Sequence, residues 1–166
     1  MQAGQVIRVR TLSTTQFAVV IGANGGAALV NMAPGGAAGQ VPESLAAGRH
    51  CRSRLREVQI ISSKKIPWSL QLHRSASGVG GAVIDSDPYL GEIAFSATGA
   101  PGDGSQATGD TFFYFGVQGL DMAYEDTDET GKVHVRLINR DPAVAFNGGA
   151  GDSVVVELCF EPLQGR

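Results

Sequence analysis

The sequence has no apolar run of the ~18–20 residues that a membrane-spanning helix needs, and its first residues have no apolar core of the signal-peptide kind. We therefore expect a soluble protein made in the cytoplasm. Two cysteines in 166 residues, Cys51 and Cys159, provide neither a zinc-type spacing nor a dense disulfide framework. A bridge between these two and a pair of thiols are both compatible with the sequence.

Motifs of catalysis and of cofactor binding are also missing. There is no GxSxG, HExxH, CxxC, phosphate-binding glycine loop or dinucleotide fingerprint, and the histidines His50, His73 and His134 lie far apart. We expect neither enzymatic activity nor a bound cofactor or metal. Convergence of His73 and His134 with the acidic turn at Asp85 and Asp87 would favour an enzyme instead.

One acidic segment resembles part of a calcium site. Asp126, Asp128, Thr130 and Gly131 have the spacing of the first half of a calcium-binding loop, but the twelfth position is Leu137 instead of a bidentate Glu. We interpret residues 126–131 as an acidic hairpin loop, with a looser surface calcium site as the alternative.

Alternation of apolar and polar residues dominates the sequence after residue 50. Apolar side chains recur at every second position over 66–72, 133–137 and 154–160, which is the period of a half-buried strand and not of a helix. Further strands are predicted at 55–61, 89–96 and 111–117, separated by turn-forming segments. Since Pro67 lacks an amide donor, we expect its strand to lie at a sheet edge or to be bulged there. The pattern predicts an all-β domain over residues 51–166, an antiparallel β-sandwich or jelly roll.

Residues 1–50 have a different composition. Residues 5–12 and 16–21 are rich in β-formers and predict a hairpin, whereas residues 22–48 hold seven Gly and eight Ala and have too little apolar bulk for a core. We interpret residues 1–50 as an extended Gly/Ala-rich N-terminal arm with a possible hairpin and a flexible linker, ordered only against a partner.

Charge is distributed unevenly. Residues 1–74 carry nine Lys and Arg against two acids, and residues 75–166 carry four against fourteen. This asymmetry suggests an anionic partner or contacts between copies, although ion pairs within one fold could absorb it. Arg52, Arg54 and Arg56 alternate with other residues and would project from one side of a strand, as a stripe suited to an acidic protein surface. A solvated face paired with acids of neighbouring strands is the alternative, and the acidic second part argues against nucleic acid.

An aromatic strand favours self-association. Phe113 and Phe115 share one face of the predicted strand and Phe112 and Tyr114 the other. A strand that is apolar on both faces is buried deep in a sandwich or between subunits.

The order of segments resembles a known family. WSLQLHRS, DSDPYLGEIAF, the block TFFYFGVQGLDMAYEDTDETGKVHVRLINR and the terminal VVVELCFEP are together similar in pattern to the jelly-roll decoration (cement) proteins of tailed-phage capsids. The similarity covers about residues 55–162 and includes no diagnostic motif. It implies a homotrimer or other small oligomer on the outer capsid surface that binds the major capsid protein.

We therefore expect a structural virion protein that stabilises the assembled head, with no enzymatic activity, no nucleic acid and no membrane partner. The candidate partner-binding residues are Arg8, Arg10, Phe17, Arg52, Arg54 and Arg56. The alternative is a carbohydrate- or receptor-binding jelly roll, as in a tail fibre or lectin, which would need an exposed aromatic platform.

Overall fold

The computed structural model describes residues 7–10, 20–21, 23, 25–32, 51–73, 89–97, 105–106, 112–126, 133–147 and 151–162. These residues contain no helix and form the strands β1 (Ile7–Arg10), β2 (Val20–Ile21), β3 (Gly26–Met32), β4 (Cys51–Ser62), β5 (Trp68–His73), β6 (Tyr89–Phe95), β7 (Ser105–Gln106), β8 (Phe113–Asp126), β9 (Val133–Asn139), β10 (Phe146–Asn147) and β11 (Val154–Pro162). For β1, β3 and β7 only the backbone is described.

Two antiparallel sheets enclose one hydrophobic core. One sheet has the order β1-β11-β4-β8-β7 and the other β3-β9-β5-β6, and β10 pairs with β2. Buried side chains from both sheets, among them Leu55 and Phe115 from the first and Trp68 and Leu137 from the second, belong to a single cluster. The expectation of an all-β antiparallel fold is confirmed, and the arrangement is that of a β-sandwich.

The alternating segments form strands because every second side chain is apolar, so that one face of each strand can pack in the core. Trp68, Leu70 and Leu72 of β5 are fully buried, as are Val154, Val156 and Leu158 of β11. At roughly 1.5–3 kcal/mol for each large side chain, such faces supply most of the driving force for packing the sheets. The face of each strand predicted to point inward is therefore the one observed in the core.

β-Bulges interrupt this alternation in β4 and β8. In β4 the buried positions change from Ser53 and Leu55 to Val58 and Ile60, and its pairing with both β8 and β11 shifts next to Arg56. In β8 the inward residues change phase at Gly119, whose φ of 73° lies in the left-handed region that glycine adopts without strain. This bulge lets β8 continue to Asp126, well beyond the predicted end at Val117.

Pro67 precedes β5 instead of lying within it, so β5 pairs on both sides, with β6 and with β9. The expectation was wrong in both forms, because β5 is not an edge strand and its pairing shifts at Leu72 and His73 and not at Pro67. The missing amide of proline costs no ladder hydrogen bond outside the strand.

Three strands within residues 1–50 pair with later parts of the chain. β1 pairs with β11, and β2, the described part of residues 16–21, pairs with β10, so the described residues do not show the predicted hairpin. β3 lies in the segment predicted as a linker and pairs with β9. Backbone hydrogen bonds need no side-chain bulk, which explains how an Ala-rich segment extends a sheet. Most of residues 1–50 lies outside the described part, so the arm and its boundary with the domain stay predictions.

Candidate functional site: the outer face of the five-stranded sheet

The predicted arginine stripe lies in a charged cluster on the outer face of the five-stranded sheet. Nη1 of Arg54 donates to both carboxylate oxygens of Asp121, at 2.6 Å each. Nη1 of Arg56 donates to Oδ1 of Asp121 at 2.7 Å, and its Nε donates to Oε2 of Glu161 at 2.7 Å. The carboxylate of Asp121 on β8 thus binds both of these guanidinium groups of β4. The carboxylate of Glu161 on β11 binds that of Arg56 as well.

The bulges explain this convergence. They place Arg56 of β4 beside the residues 119–121 of β8, where Nη1 of Arg56 also reaches the carbonyl oxygen of Leu120 at 3.4 Å. The hydrogen bond from Arg54 holds the pKa of Asp121 below its usual value, and the same contact raises the pKa of Arg54. The cluster stays about half exposed, with 42 % of the Arg54 and 40 % of the Arg56 side chain accessible. It therefore remains available to a partner, but as paired charges.

The strand register gives the backbone positions of three further predicted arginines. Arg8 and Arg10 of β1 lie opposite Cys159 and Glu157, and Arg52 of β4 lies opposite Glu125. The side chains of these three arginines are outside the described part of the structure, and so is the whole of Phe17.

Ion pairs link the basic first part of the chain to its acidic second part. Arg54 and Arg56 pair across strands as described, and Nζ of Lys64, directly after β4, lies 2.7 Å from Oδ2 of Asp152. At these three basic residues, ion pairs within one fold therefore account for the charge asymmetry. Involvement of the six candidate residues in partner binding stays a prediction.

A second polar network lies on the outer face of the four-stranded sheet. Glu92 accepts from Nε2 of Gln71 at 3.0 Å and pairs with Nη2 of Arg140 at 2.5 Å, while Nε of Arg140 donates to Oγ of Ser69 at 3.1 Å. Burial raises the pKa of Glu92, but hydrogen bonds from Gln71, Ser69 and Arg140 more than offset this and hold that pKa below its usual value. Sequence reasoning missed this network, because Arg140 lies beyond the end of β9 and nothing local indicates its partners.

Among the residues that the structure describes, the remaining candidates form no recognisable catalytic or metal site. His73 is buried in β5, opposite the backbone of His134, and Asp85, Asp87 and residues 127–132 of the acidic loop lie outside the described residues. Where side chains are described, no three His, Cys, Asp or Glu residues come together as metal ligands.

The register separates the two cysteines. Cys159 is buried and lies opposite Glu57, whereas Cys51 is the first residue of β4. At the rise of a strand the two Cα atoms are roughly 20 Å apart, whereas a disulfide needs less than about 7 Å. A bridge between them within one chain is thereby excluded.

Comparison with models of protein families, with curated proteins and with solved structures gives no match for this chain. Within the described ranges, no helix is long and apolar enough to cross a membrane.

Proposed function

We propose that this chain is a non-enzymatic jelly-roll protein that binds the outer surface of a tailed-phage capsid and stabilises the assembled head. The proposal rests on the strand pairing, on the sequence resemblance to capsid decoration proteins, and on the paired charges of the outer sheet face.

The strand pairing carries the proposal. A jelly roll is one long antiparallel hairpin of eight strands wound into two sheets, so its first strand pairs with its eighth, its second with its seventh, and so on inward. Here the eight strands in chain order are β1, β3, β4, β5, β6, β8, β9 and β11, and the pairs β1·β11, β3·β9, β4·β8 and β5·β6 follow that rule. The contacts β11·β4 and β9·β5 then complete the two sheets.

This topology makes part of the segment 1–50 integral to the roll. β1 covers one side of β11 and β3 covers one side of β9. Residues between and around these strands would then reach the capsid from the domain itself, as loops and a terminal extension. The resemblance implies such a reaching segment, and the Gly/Ala-rich composition of residues 33–50 suits it.

The outer face of the five-stranded sheet is our candidate contact surface. Its arginines and carboxylates are already paired and half exposed, so a partner with charges of both signs can exchange ion pairs without leaving a charge unpaired. A strongly anionic phosphate backbone would have to compete with Asp121 and Glu161, which disfavours nucleic acid.

Self-association has a candidate surface on the same face. Tyr114 lies opposite Ile61, and Ile61 lies opposite Val155, as an apolar row across three strands. Tyr114 and Ile61 remain partly exposed. A homotrimer that covers this row accounts for the aromatic character of β8, and light-scattering mass determination of the free protein tests it.

The carbohydrate-binding alternative has less support. Trp68, the single tryptophan, is fully buried and offers no exposed platform on which a sugar ring could stack. A glycan array with reproducible hits would reverse this preference.

Co-sedimentation with purified, expanded phage heads tests the proposal. We expect the wild-type chain to bind at saturating stoichiometry and to raise the temperature at which the heads release their DNA. An Arg54→Ala/Arg56→Ala variant should bind more weakly, whereas Arg136→Ala, which removes a basic side chain of β9 in the other sheet, should bind normally. If the wild-type chain fails to bind heads, the proposed function is wrong. If the wild-type chain binds and the double variant binds equally well, the arginine pair is not part of the contact.

A further inference from the structure

The loop between β9 and β10 exposes four consecutive small or apolar residues, Pro142, Ala143, Val144 and Ala145. We call residues 142–145 the apolar tip. Val144 is 41 % accessible and is the exposed large hydrophobic residue of the described part of the chain. Exposed apolar residues that stand together are more informative than scattered ones, because they commonly mark a contact with another protein.

The apolar tip is held rigidly by side chains at its base. Nδ2 of Asn139, a fully buried residue, donates to the carbonyl oxygen of Val144 at 2.7 Å, and its Oδ1 accepts from the amide of Asp141 at 2.8 Å. Oδ1 of Asp141 accepts from the amides of Ala143 and Val144, at 2.8 Å each. The turn thus satisfies its backbone groups internally and needs little further ordering to bind.

Both ends of the loop are fixed to the body of the protein. The amide of Arg140 donates to the carbonyl oxygen of Pro67 at 2.8 Å, and Nζ of Lys64 donates to that of Ala145 at 2.8 Å. Directly after the tip, Phe146 is fully buried, with its ring centroid 5.7 Å from that of Trp68 and the rings inclined at 71°. The tip is therefore a fixed projection and not a mobile loop end.

The charged groups beside the tip are engaged within the protein. The Asp141 carboxylate accepts backbone amides, Arg140 pairs with Glu92, and Lys64 pairs with Asp152. The tip itself carries no charge, so an uncharged, apolar partner surface complements it, which disfavours nucleic acid and anionic lipid as occupants.

The tip also lies beside the front segment of the chain. The amide of Asn139 donates to the carbonyl oxygen of Gly25 at 2.9 Å, and β10 pairs with β2.

From these observations we infer that the apolar tip inserts into an uncharged, apolar hollow on the capsid protein, an inference that rests on the function proposed above. Val144 fills the hollow, and the turn at Asn139 and Asp141 presents it without an ordering cost.

Binding of purified heads by the full-length chain tests this, with Val144→Asp as the variant. A charge at this position would have to be buried without a partner, so the dissociation constant should rise by at least about 10-fold. Val144→Ala, which only removes contact area, should give a smaller rise. Ala94→Asp, which places the same charge at an exposed position of β6, should bind like wild type. Denaturant unfolding of all three variants should match wild type, because both positions are exposed.

The outcomes separate the inference from the proposed function. Weak binding of Val144→Asp with normal binding of Ala94→Asp supports the inference. Equal binding of both variants and wild type overturns the inference and leaves the proposed function standing. Failure of the wild-type chain to bind heads overturns both. A lower light-scattering mass of free Val144→Asp would show that the tip contacts a second copy, which also overturns the inference.

Discussion

Replacing Phe146 with Ala should destabilise the protein more than any change in the exposed loop beside it. Phe146 is fully buried on the two-residue strand β10, packs edge-to-face on Trp68 and lies opposite the buried Ile21 of β2. Truncation of a buried phenylalanine costs about 3–5 kcal/mol in transfer free energy and cavity formation. Of this, roughly 0.5–1.5 kcal/mol belongs to the geometry of the ring pair. Since domains of this size are stable by about 5–15 kcal/mol, the loss is a large share of the total.

Trp68 makes the assay direct, because it is the only tryptophan of the chain and touches the altered side chain. Urea unfolding followed by tryptophan fluorescence should show a lower midpoint with an unchanged slope, and the melting temperature should fall by about 6–20 °C. Phe146→Leu, which keeps most of the volume, should lose about 1–1.5 kcal/mol. Val144→Ala, in the exposed tip nearby, should stay within about 0.5 kcal/mol of wild type. A Phe146→Ala variant that loses less than about 1 kcal/mol and keeps native fluorescence would refute the packing described here.

Two further predictions concern the sheets. Gly91→Ala should cost about 1–3 kcal/mol, because the φ of 155° at this position is one that L side chains rarely adopt. The added Cβ would also lie 2.8 Å from Cε of Met122, but this is the flexible end of a side chain and can move aside at little cost. Gly116→Ala, with 3.9 Å from the new Cβ to the nearest atom, should be nearly neutral in the same urea titration. Asp121→Asn should be less stable than wild type at neutral pH, and the difference should vanish in acid. The contact with Arg54 lowers the pKa of Asp121 in the folded protein, so its contribution is present above the ordinary value of 3.8 and is lost as the pH falls through the lowered pKa. Unfolding measured from neutral pH downward checks this, and a difference that persists in strong acid would contradict it.

The inward faces of β5 and β11 could be predicted from the sequence because their large apolar side chains recur at every second position. Spacing alone assigns three residues of β11 to the core, Val154, Val156 and Leu158, and all three are buried. The same spacing predicts that Trp68 lies in the core, as it does, and this weakens the carbohydrate-binding alternative.

Features that depend on pairing between distant segments could not be predicted from the alternation of apolar residues. The bulge at Gly119 changes which alternate residues of β8 point inward, and no local sequence pattern predicts it. β3 carries residues with low strand preference and is held by its partner β9. The arginine stripe was recognisable from its spacing, but its carboxylate partners Asp121 and Glu161 belong to strands far along the chain, β8 and β11.

The position of β11 between β1 and β4 has a consequence for synthesis of the protein. Val9 pairs with Leu158, and Val58 also pairs with Leu158. While the chain is still on the ribosome, the edge of β4 that β11 will occupy stays open, and β1 has no neighbour to dock on. Folding dominated by such distant pairings is slow. Until the pairings form, the unpaired strand edges are prone to aggregation. Overproduction at high temperature should therefore favour inclusion bodies, and slower synthesis in the cold should favour the native protein.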